Sequence, residues 1–240
     1  MSKVARVPAA GEAAAEGAAE GAPITLETIQ KDPTFSNFIV SADRVMDGLG
    51  YTEHGFRHAN LTGKIAFNLI ARLERDRREA ELASIAGYLH DLGNMVAREA
   101  HGQVGAVLAH GVLRNRMAPD ELALVMAGIG NHEEPEGAAA GPIPAAVILA
   151  DKSDVHRSRV RKADAIEFDI HDRVNYAATQ SFLRVDSGAR TITLELTIDT
   201  EISQVMEYFE IFLDRMVMCR RAAEQLDCTF KLTINGATLL

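Results

Sequence analysis

The feature that most constrains this chain is a histidine followed directly by an aspartate, His90 and Asp91, at the end of an apolar segment. Apolar residues recur at helical spacing over residues 80–89, and Gly93 is a typical C-terminal stop just beyond the pair. Neighbouring residues on a helix point roughly 100° apart, so both side chains reach one ion only near the helix end. The pair therefore predicts a metal site there, with further ligands elsewhere in the chain.

Composition limits the class of protein. The 240 residues are 47% hydrophobic, which is enough for one core, or one core with a small appendage. The formal charge of -9 disfavours a nucleic-acid polymer or an anionic membrane as the main partner, whereas a small anionic substrate stays compatible because a metal reverses the local field. Cys219 and Cys228 have no metal-type spacing and are expected to be reduced thiols. No signal-like or membrane-spanning segment is apparent, so we expect a soluble cytoplasmic protein.

Three parts follow one another along the chain. Residues 1–24 are rich in Ala, Gly and Glu and have few large apolar side chains, which predicts a disordered tail, with a transient helix as the alternative. Residues 25–179 are expected to form a helical domain. Apolar spacing, proline and glycine place its helices at residues 33–49, 56–75, 80 to about 91, 101–114, 119–128 and 145–154.

Residues 180–240 are predicted to form a small β-β-α-β appendage. Strict alternation over residues 191–198 indicates a half-buried strand, with residues 182–186 as its hairpin partner. A long amphipathic helix from Ile202 to Leu226 precedes a third alternating strand, residues 230–234. One face of the sheet needs a cover, which the helix, the bundle or a second subunit can supply, so the appendage is a candidate homodimer surface.

Four separated residues suit a divalent transition metal: His58, His90, Asp91 and Asp151. Their order along apolar helices resembles the H…HD…D pattern of the HD superfamily of metal-dependent phosphohydrolases, over about residues 35–160. The resemblance implies a mostly α fold, an HD-type helical bundle, and metal-dependent hydrolysis.

Two more histidines resemble the second-metal ligands of the binuclear branch of that superfamily, which includes the HD-GYP phosphodiesterases. His101 begins an H-x-x-x-G element, and His132 lies in an N-H-E-E segment. The resemblance implies two divalent ions with Asp91 bridging them; Fe, Mn, Zn, Ni and Co are not distinguished, and Mg is also compatible. His54, four residues before His58 and so on the same helical face, is a candidate ligand for a third ion.

The resemblance also implies the reaction, in which a hydroxide shared by the two ions attacks the phosphorus of a small phosphoester, a nucleotide or a related monoester or diester. Asp91, Glu133 and Lys152 are the predicted catalytic residues, with Glu133 or Glu134 orienting a ligand histidine or relaying a proton. The cations close in sequence to ligands are the candidates for binding phosphate: Arg57, Lys64, Arg98 and Lys152.

Two departures separate the chain from the HD-GYP enzymes. The GYP element is absent, since the residues after His132 read Glu-Glu-Pro-Glu-Gly-Ala, and the lysine that follows HD-φ-G in those enzymes is Asn94 here. Both changes argue against a cyclic-di-GMP phosphodiesterase and leave the substrate open.

Other interpretations stay open from sequence alone. The same ligand order is used by HD-type mixed-valent di-iron oxygenases, and a non-catalytic nucleotide or metal sensor is a third class. The structural alternatives are a helix-terminal pair for His90 and Asp91, a cap or salt-bridge acid for Asp151, surface histidines for His101 and His132, and a turn residue for His54.

Overall fold

The fold is mostly α-helical with a small sheet near the C-terminus, in a computed structural model that describes residues 23–134, 137–161 and 169–239. The predicted disorder of residues 1–24 falls almost wholly outside the described residues. Ile24, at the end of that segment, is buried in the core, and its carbonyl accepts a hydrogen bond of 2.7 Å from Nη1 of Arg78. The chain is therefore part of the core from Ile24 onward.

The helices predicted from apolar spacing are all present. In the described residues the helices are α1 (Leu26–Gln30), α2 (Pro33–Gly48), α3 (Phe56–Arg72), α4 (Arg77–Leu89), α5 (His101–Leu113), α6 (Pro119–Gly130), α7 (Pro142–Lys152), α8 (Ile170–Ala177) and α9 (Val205–Gln225), with short 3₁₀ turns at Leu92–Met95 and Arg157–Arg159. Among these residues, no helix has both the length and the apolar character that crossing a membrane requires.

Three helix starts differ from the prediction. The fourth helix begins at Arg77 and not at residue 80, because the side chain of Asp76 caps it by accepting from the amides of Arg78 and Glu79. The seventh helix begins at Pro142 and not at Ala145, because proline is well placed in a first helical turn, where its missing N–H is not needed. The ninth begins at Val205 and not at Ile202, because the amides of Ile202 and Ser203 instead bond to the carbonyl of Asp199 in a turn. α1 and α8 were not predicted, since helices this short carry little apolar periodicity.

The predicted β-β-α-β order of the appendage is confirmed, with one further short strand. The strands are β1 (Ala178–Asp186), β2 (Thr191–Ile198), β3 (Thr229–Ile234) and β4 (Ala237–Thr238), in the spatial order β1-β2-β3-β4. β1 pairs antiparallel with β2, and β2 pairs parallel with β3. The crossover between the parallel strands is α9, which packs on β3 and β2 and on α7. The sheet is thus joined to the helical part through α9, and β1 also contacts α3 and α8.

The most deeply buried helix is α7, in which every residue from Ile143 to Lys152 is buried. Its sequence is apolar all round until Asp151, which is typical of a helix surrounded by others. It packs against α3, α4, α6 and α9. Asp151 and Lys152 are consequently brought to the centre of the molecule at the C-terminal end of α7.

Close approach of α3 and α4 depends on two glycines. A Cβ on Gly87 would lie 3.1 Å from the carbonyl oxygen of Thr62 and 3.2 Å from the Cα of Gly63, and a Cβ on Gly63 would lie 3.0 Å from the carbonyl oxygen of Ser84. The two backbones are therefore almost in contact, which places the histidine near the start of α3 beside the one at the end of α4.

The sequence suggested that Gly93 ends α4, but the helix ends before this residue. The helix ends at Leu89, and Gly93 lies in the following 3₁₀ turn, where a Cβ would overlap the backbone carbonyl of His101 and lie 2.8 Å from the amide of Gly105. Only a residue without a side chain allows the start of α5 to pack this closely against the turn.

Gly93→Ala is expected to lower the free energy of unfolding by about 2 kcal/mol or more, because backbone atoms have to move to admit the methyl group. Gly111→Ala is the matched control, since nothing lies within 4 Å of its Cβ position on the exposed side of α5. That change should raise stability by about 0.5–1 kcal/mol. Urea denaturation of both variants tests this, and equal effects would contradict the close contact at Gly93.

Candidate metal centre

Six buried side chains from five parts of the helical bundle meet at one point. They are His58 of α3, His90 and Asp91 after α4, His101 at the start of α5, His132 after α6, and Asp151 of α7. Each is at most 9% exposed. His101 and His132 are therefore not surface histidines.

Hydrogen bonds fix the orientation of the rings. Nδ1 of His90 donates to the carbonyl of Gly87 at 2.7 Å, and Nδ1 of His132 donates to the carbonyl of Ile129 at the same distance. A carbonyl oxygen only accepts, so each Nδ1 carries the proton and each Nε2 of a neutral ring presents a lone pair. These lone pairs point into the cluster, as required of a metal ligand.

The inward nitrogens face one another at short range. Nε2 of His58 lies 3.1 Å from Nε2 of His90, and Nε2 of His101 lies 2.9 Å from Nε2 of His132. Two neutral rings that both present lone pairs repel at this distance, whereas a cation between them removes the repulsion. Ligand atoms about 2.1 Å from an ion lie roughly 3.0–3.4 Å apart in octahedral or tetrahedral geometry, which agrees with the observed separations.

The carboxylate of Asp91 lies between the two histidine pairs. Its Oδ2 is 3.1 Å from Nε2 of His90 and 3.5 Å from Nε2 of His58. Its Oδ1 is 3.3 Å from Nε2 of His101 and 3.9 Å from Nε2 of His132. Each oxygen thus faces a different pair of imidazoles.

Only one oxygen of Asp151 faces the first histidine pair, His58 and His90. Its Oδ1 lies 3.2 Å from Nε2 of His58 and 3.6 Å from Nε2 of His90, and its Oδ2 lies 2.8 Å from the ammonium of Lys152. Lys152 is itself buried and also contacts Oε2 of Glu134 at 2.5 Å. The lysine therefore occupies one oxygen of Asp151 and leaves the other for the cluster.

The donor set fits divalent metal ions. Oδ2 of Asp91 is buried and has no hydrogen-bond partner within the described part of the chain, which is costly unless a cation pairs with it. Imidazole nitrogens with carboxylate oxygens suit Fe, Zn, Ni, Co or Mn. Three groups of buried residues have ligand atoms within 4.8 Å of one another: His58, His90 and Asp91; His90, His132 and Asp151; and Asp91, His101 and His132.

Proton affinities in the cluster reflect the same need for positive charge. Burial alone would lower the pKa of His90, but the carboxylates of Asp91 and Asp151 raise it to about 10. Burial alone would raise the pKa of Asp91, but His90 and His101 hold it well below its usual value. Burial, with His90 and His101 nearby, lowers the pKa of His132 well below its usual value. Without metal, a proton on His90 supplies the positive charge.

Asp154 is a supporting residue that the sequence reasoning missed. Its Oδ2 accepts a hydrogen bond of 2.7 Å from Nδ1 of His58, so it fixes that ring as the carbonyls fix the others. Arg57 binds both its oxygens, at 3.2 and 2.7 Å, and Arg159 lies 3.7 Å away. Although burial by itself raises the pKa of Asp154, its bond with His58 and the two arginines hold the pKa far below the usual range.

On the opposite side of the cluster, Glu133 and Asn94 orient two ligands. Nδ1 of His101 lies 3.0 Å from the carbonyl oxygen of Arg98, to which it donates, and 2.8 Å from Oε2 of Glu133, the contact expected of Glu133 or Glu134. Asn94, at the position of the lysine in the HD-GYP enzymes, donates a hydrogen bond of 2.8 Å from Nδ2 to Oδ1 of Asp91. Asn94 therefore contacts the central carboxylate of Asp91, although it stands where those enzymes have lysine.

The predicted phosphate-binding cations differ in their surroundings. The guanidinium of Arg57 is bonded to Glu53 as well as Asp154, and Lys152 pairs with two carboxylates. Lys64 is on the exposed side of α3. Their roles towards substrate stay predictions.

Arg98 is placed at the mouth of the cluster. Its guanidinium lies 5.3 Å from the ring centre of Tyr51 and 3.6 Å from Oε1 of Glu133. A cavity of about 400 Å³ adjoins it, with His54, Phe212 and Arg215 also in its wall. The cavity has room for a small anion, and Arg98 connects its wall to the cluster, since its Nη1 lies 3.2 Å from Nε2 of His101.

The helical-spacing argument for His54 is wrong, because α3 begins only at Phe56. Nδ1 of His54 instead bonds to the carbonyl of Thr52 at 2.6 Å, and its ring centre lies 5.6 Å from that of His58. None of the three close groups in the described residues includes it. A third ion at His54 stays a prediction.

A comparison with known families agrees with this geometry. Residues 52–169 match the family model of the HD domain. The chain carries an HD domain. The match includes all six clustered residues, and HD domains belong to a superfamily of metal-dependent hydrolases. No curated protein matches the chain. The sheet and α9 lie beyond the matched residues, so nothing in the match explains them.

Loading the HD domain with divalent metal at neutral pH should release about one proton or more per chain, because His90, with a pKa of about 10, is protonated in the metal-free protein and has to deprotonate to bind an ion. Titration calorimetry in buffers of different ionisation enthalpy measures the number. Release from His90 should fall to about half a proton near pH 10 and towards zero only above it. Binding without proton release at pH 7 would contradict the arrangement around His90.

Asp154→Asn should weaken metal binding by about 10–100-fold without abolishing it, because the amide no longer fixes the ring of His58 as an anion does. Competition against a chelator measures the affinity. Asp120→Asn, at an exposed position in the first turn of α6, is the control and should bind as the wild type does. An unchanged affinity in Asp154→Asn would show that this contact does not support the metal centre.

Proposed function

We propose that the protein is a metal-dependent phosphohydrolase that cleaves a small phosphoester, a nucleotide or a related monoester or diester. The observation that carries the proposal is the position of Asp91, whose two oxygens face two different histidine pairs. A carboxylate shared in this way is suited to two neighbouring ions, the arrangement that favours in-line displacement at phosphorus. The HD domain match supports the same class of reaction.

Bound divalent ions would supply Lewis acidity and lower the pKa of a water molecule enough for attack near neutral pH. The residues that would hold them are His58, His90, Asp91 and Asp151 for one ion, and Asp91, His101 and His132 for the other. The surrounding bonds of the four imidazoles keep each Nε2 directed inward before an ion arrives. That preorganisation avoids reordering the ligands during catalysis.

Glu133 is proposed to handle a proton. Its carboxylate lies 2.8 Å from Nδ1 of His101 while its side chain is 20% exposed, so it connects the ligand shell with solvent. A carboxylate at such a boundary passes a proton between the site and water. Lys152 is proposed to act through Asp151, since its buried ammonium contacts the carboxylates of Asp151 and Glu134.

Arg98 is the best-supported candidate for binding phosphate. Its side chain is 32% exposed at the cavity, and its guanidinium is held by Tyr51 below it and Glu133 beside it. Guanidinium groups bind phosphate oxygens in pairs of parallel hydrogen bonds. A phosphate in the cavity can therefore meet Arg98, whose Nη1 lies 3.2 Å from Nε2 of the ligand His101.

Asp91→Ala should remove both turnover of phosphoesters and bound metal, because it deletes the one side chain common to the two halves of the cluster. A screen of phosphorylated compounds under each candidate metal, paired with elemental analysis of the same samples, measures both. Asp120→Ala is the control and should retain turnover and metal. Turnover by Asp91→Ala in the absence of bound metal would contradict the proposed reaction.

Oxygen dependence separates hydrolysis from oxidation, which uses the same kind of ligand set. Under strictly anaerobic conditions the proposed hydrolysis should proceed at the aerobic rate, since phosphoester cleavage consumes no O₂. Product formation that stops without O₂ would favour an oxygenase and overturn the proposal.

A further inference from the structure

Helix α9 contributes to the cavity beside the metal cluster although it lies outside the HD domain match. Phe212 and Arg215, one turn apart on this helix, are in the cavity wall with Tyr51, His54 and Arg98. The guanidinium of Arg215 rests 4.4 Å from the ring centre of Phe212. The C-terminal part of the chain therefore presents a cation to the proposed substrate cavity.

A chain of alternating charges connects this cation to the cluster. Nε of Arg215 donates to Oε1 of Glu134 at 2.9 Å, and Oε2 of Glu134 contacts the ammonium of Lys152 at 2.5 Å. Lys152 in turn contacts Oδ2 of Asp151 at 2.8 Å. Two side chains, those of Glu134 and Lys152, thus lie between Arg215 and the ligand Asp151, so an anion bound at Arg215 is a different group from one bound at the ions.

Arg98 has matching surroundings in the same cavity. Each of the two arginines lies over an aromatic ring, and each lies beside one of two consecutive glutamates, Glu133 for Arg98 and Glu134 for Arg215. An aromatic ring fixes the plane of a guanidinium while its N–H groups remain directed outward from the edge. The bond from Arg215 to Glu134 uses Nε, and a guanidinium has five N–H donors, so its Nη groups can bind a second acceptor.

We infer that Arg98 and Arg215 form a two-arginine anion clamp beside the metal cluster, and that the substrate carries a second anionic group, such as a further phosphate, which Arg215 binds. The inference rests on the proposed function for the identity of the first phosphate. It assigns the C-terminal appendage a part in substrate selection, because the appendage supplies Arg215.

The purified protein loaded with Mn²⁺ tests the clamp by calorimetric binding of pyrophosphate and of inorganic phosphate. Wild type should bind pyrophosphate more tightly than phosphate. Arg215→Gln should raise the Kd for pyrophosphate by about tenfold or more, the usual effect of losing a charge-assisted hydrogen bond, and change the Kd for phosphate much less. Arg215→Lys, which keeps the charge and the ion pair, should show a smaller loss.

Two further variants separate anion binding from a purely structural ion pair. Arg220→Gln removes an exposed charge from the same helix and should leave both Kd values unchanged. Glu134→Gln breaks the ion pair but keeps the arginine, so pyrophosphate should bind at least as tightly as in wild type. The inference is overturned if Glu134→Gln weakens binding as much as Arg215→Gln does, or if Arg220→Gln reproduces the loss.

Different results would refute the anion clamp and the proposed hydrolysis. Hydrolysis of a phosphoester that carries two anionic groups, with a KM that is the same in wild type and Arg215→Gln, would refute the clamp and leave the hydrolase intact. Arg215-dependent pyrophosphate binding, combined with no turnover of any phosphoester under any metal, would refute the hydrolase and leave the anion site intact. Both the clamp and the hydrolase are supported if Arg215→Gln raises the KM about tenfold for substrates with two anionic groups and changes kcat little.

Discussion

The structure depends on one electrostatic constraint, which is that four imidazole lone pairs and two carboxylates share a buried space that needs positive charge. Neutral histidines with nitrogens about 3 Å apart would repel, and unpaired carboxylates in the core are costly. A proton on His90 satisfies part of this need, and divalent ions satisfy it fully. The surrounding layer is arranged for the second case, because each ring is fixed through Nδ1 so that Nε2 stays available.

The fold supplies that arrangement through short backbone distances. Glycines between α3 and α4 bring His58 beside His90, and Gly93 lets the start of α5 bring His101 against the same turn. The all-apolar helix α7 carries Asp151 into the centre. The ligands therefore converge because two backbone approaches are very close and α7 is buried along its length.

Much of the site could be predicted from sequence because the ligands sit at helix ends in a fixed order, and apolar periodicity locates helix ends to within a few residues. Asp154 was missed because its role depends on the turn after α7, which turns it back towards His58. Arg215 was missed because it is 81 residues from its partner Glu134, and no local spacing relates α9 to the cavity. His54 was misplaced because helical spacing was extended beyond the first residue of α3.

Metal stoichiometry and position test the account most directly. Crystals of the purified protein, examined by anomalous scattering alongside elemental analysis, should show two ions per chain, one on each side of Asp91. Each should lie about 2.0–2.3 Å from the Nε2 atoms of one histidine pair. A single ion that does not contact Asp91, or a cluster that binds no divalent metal, would contradict the shared-carboxylate centre.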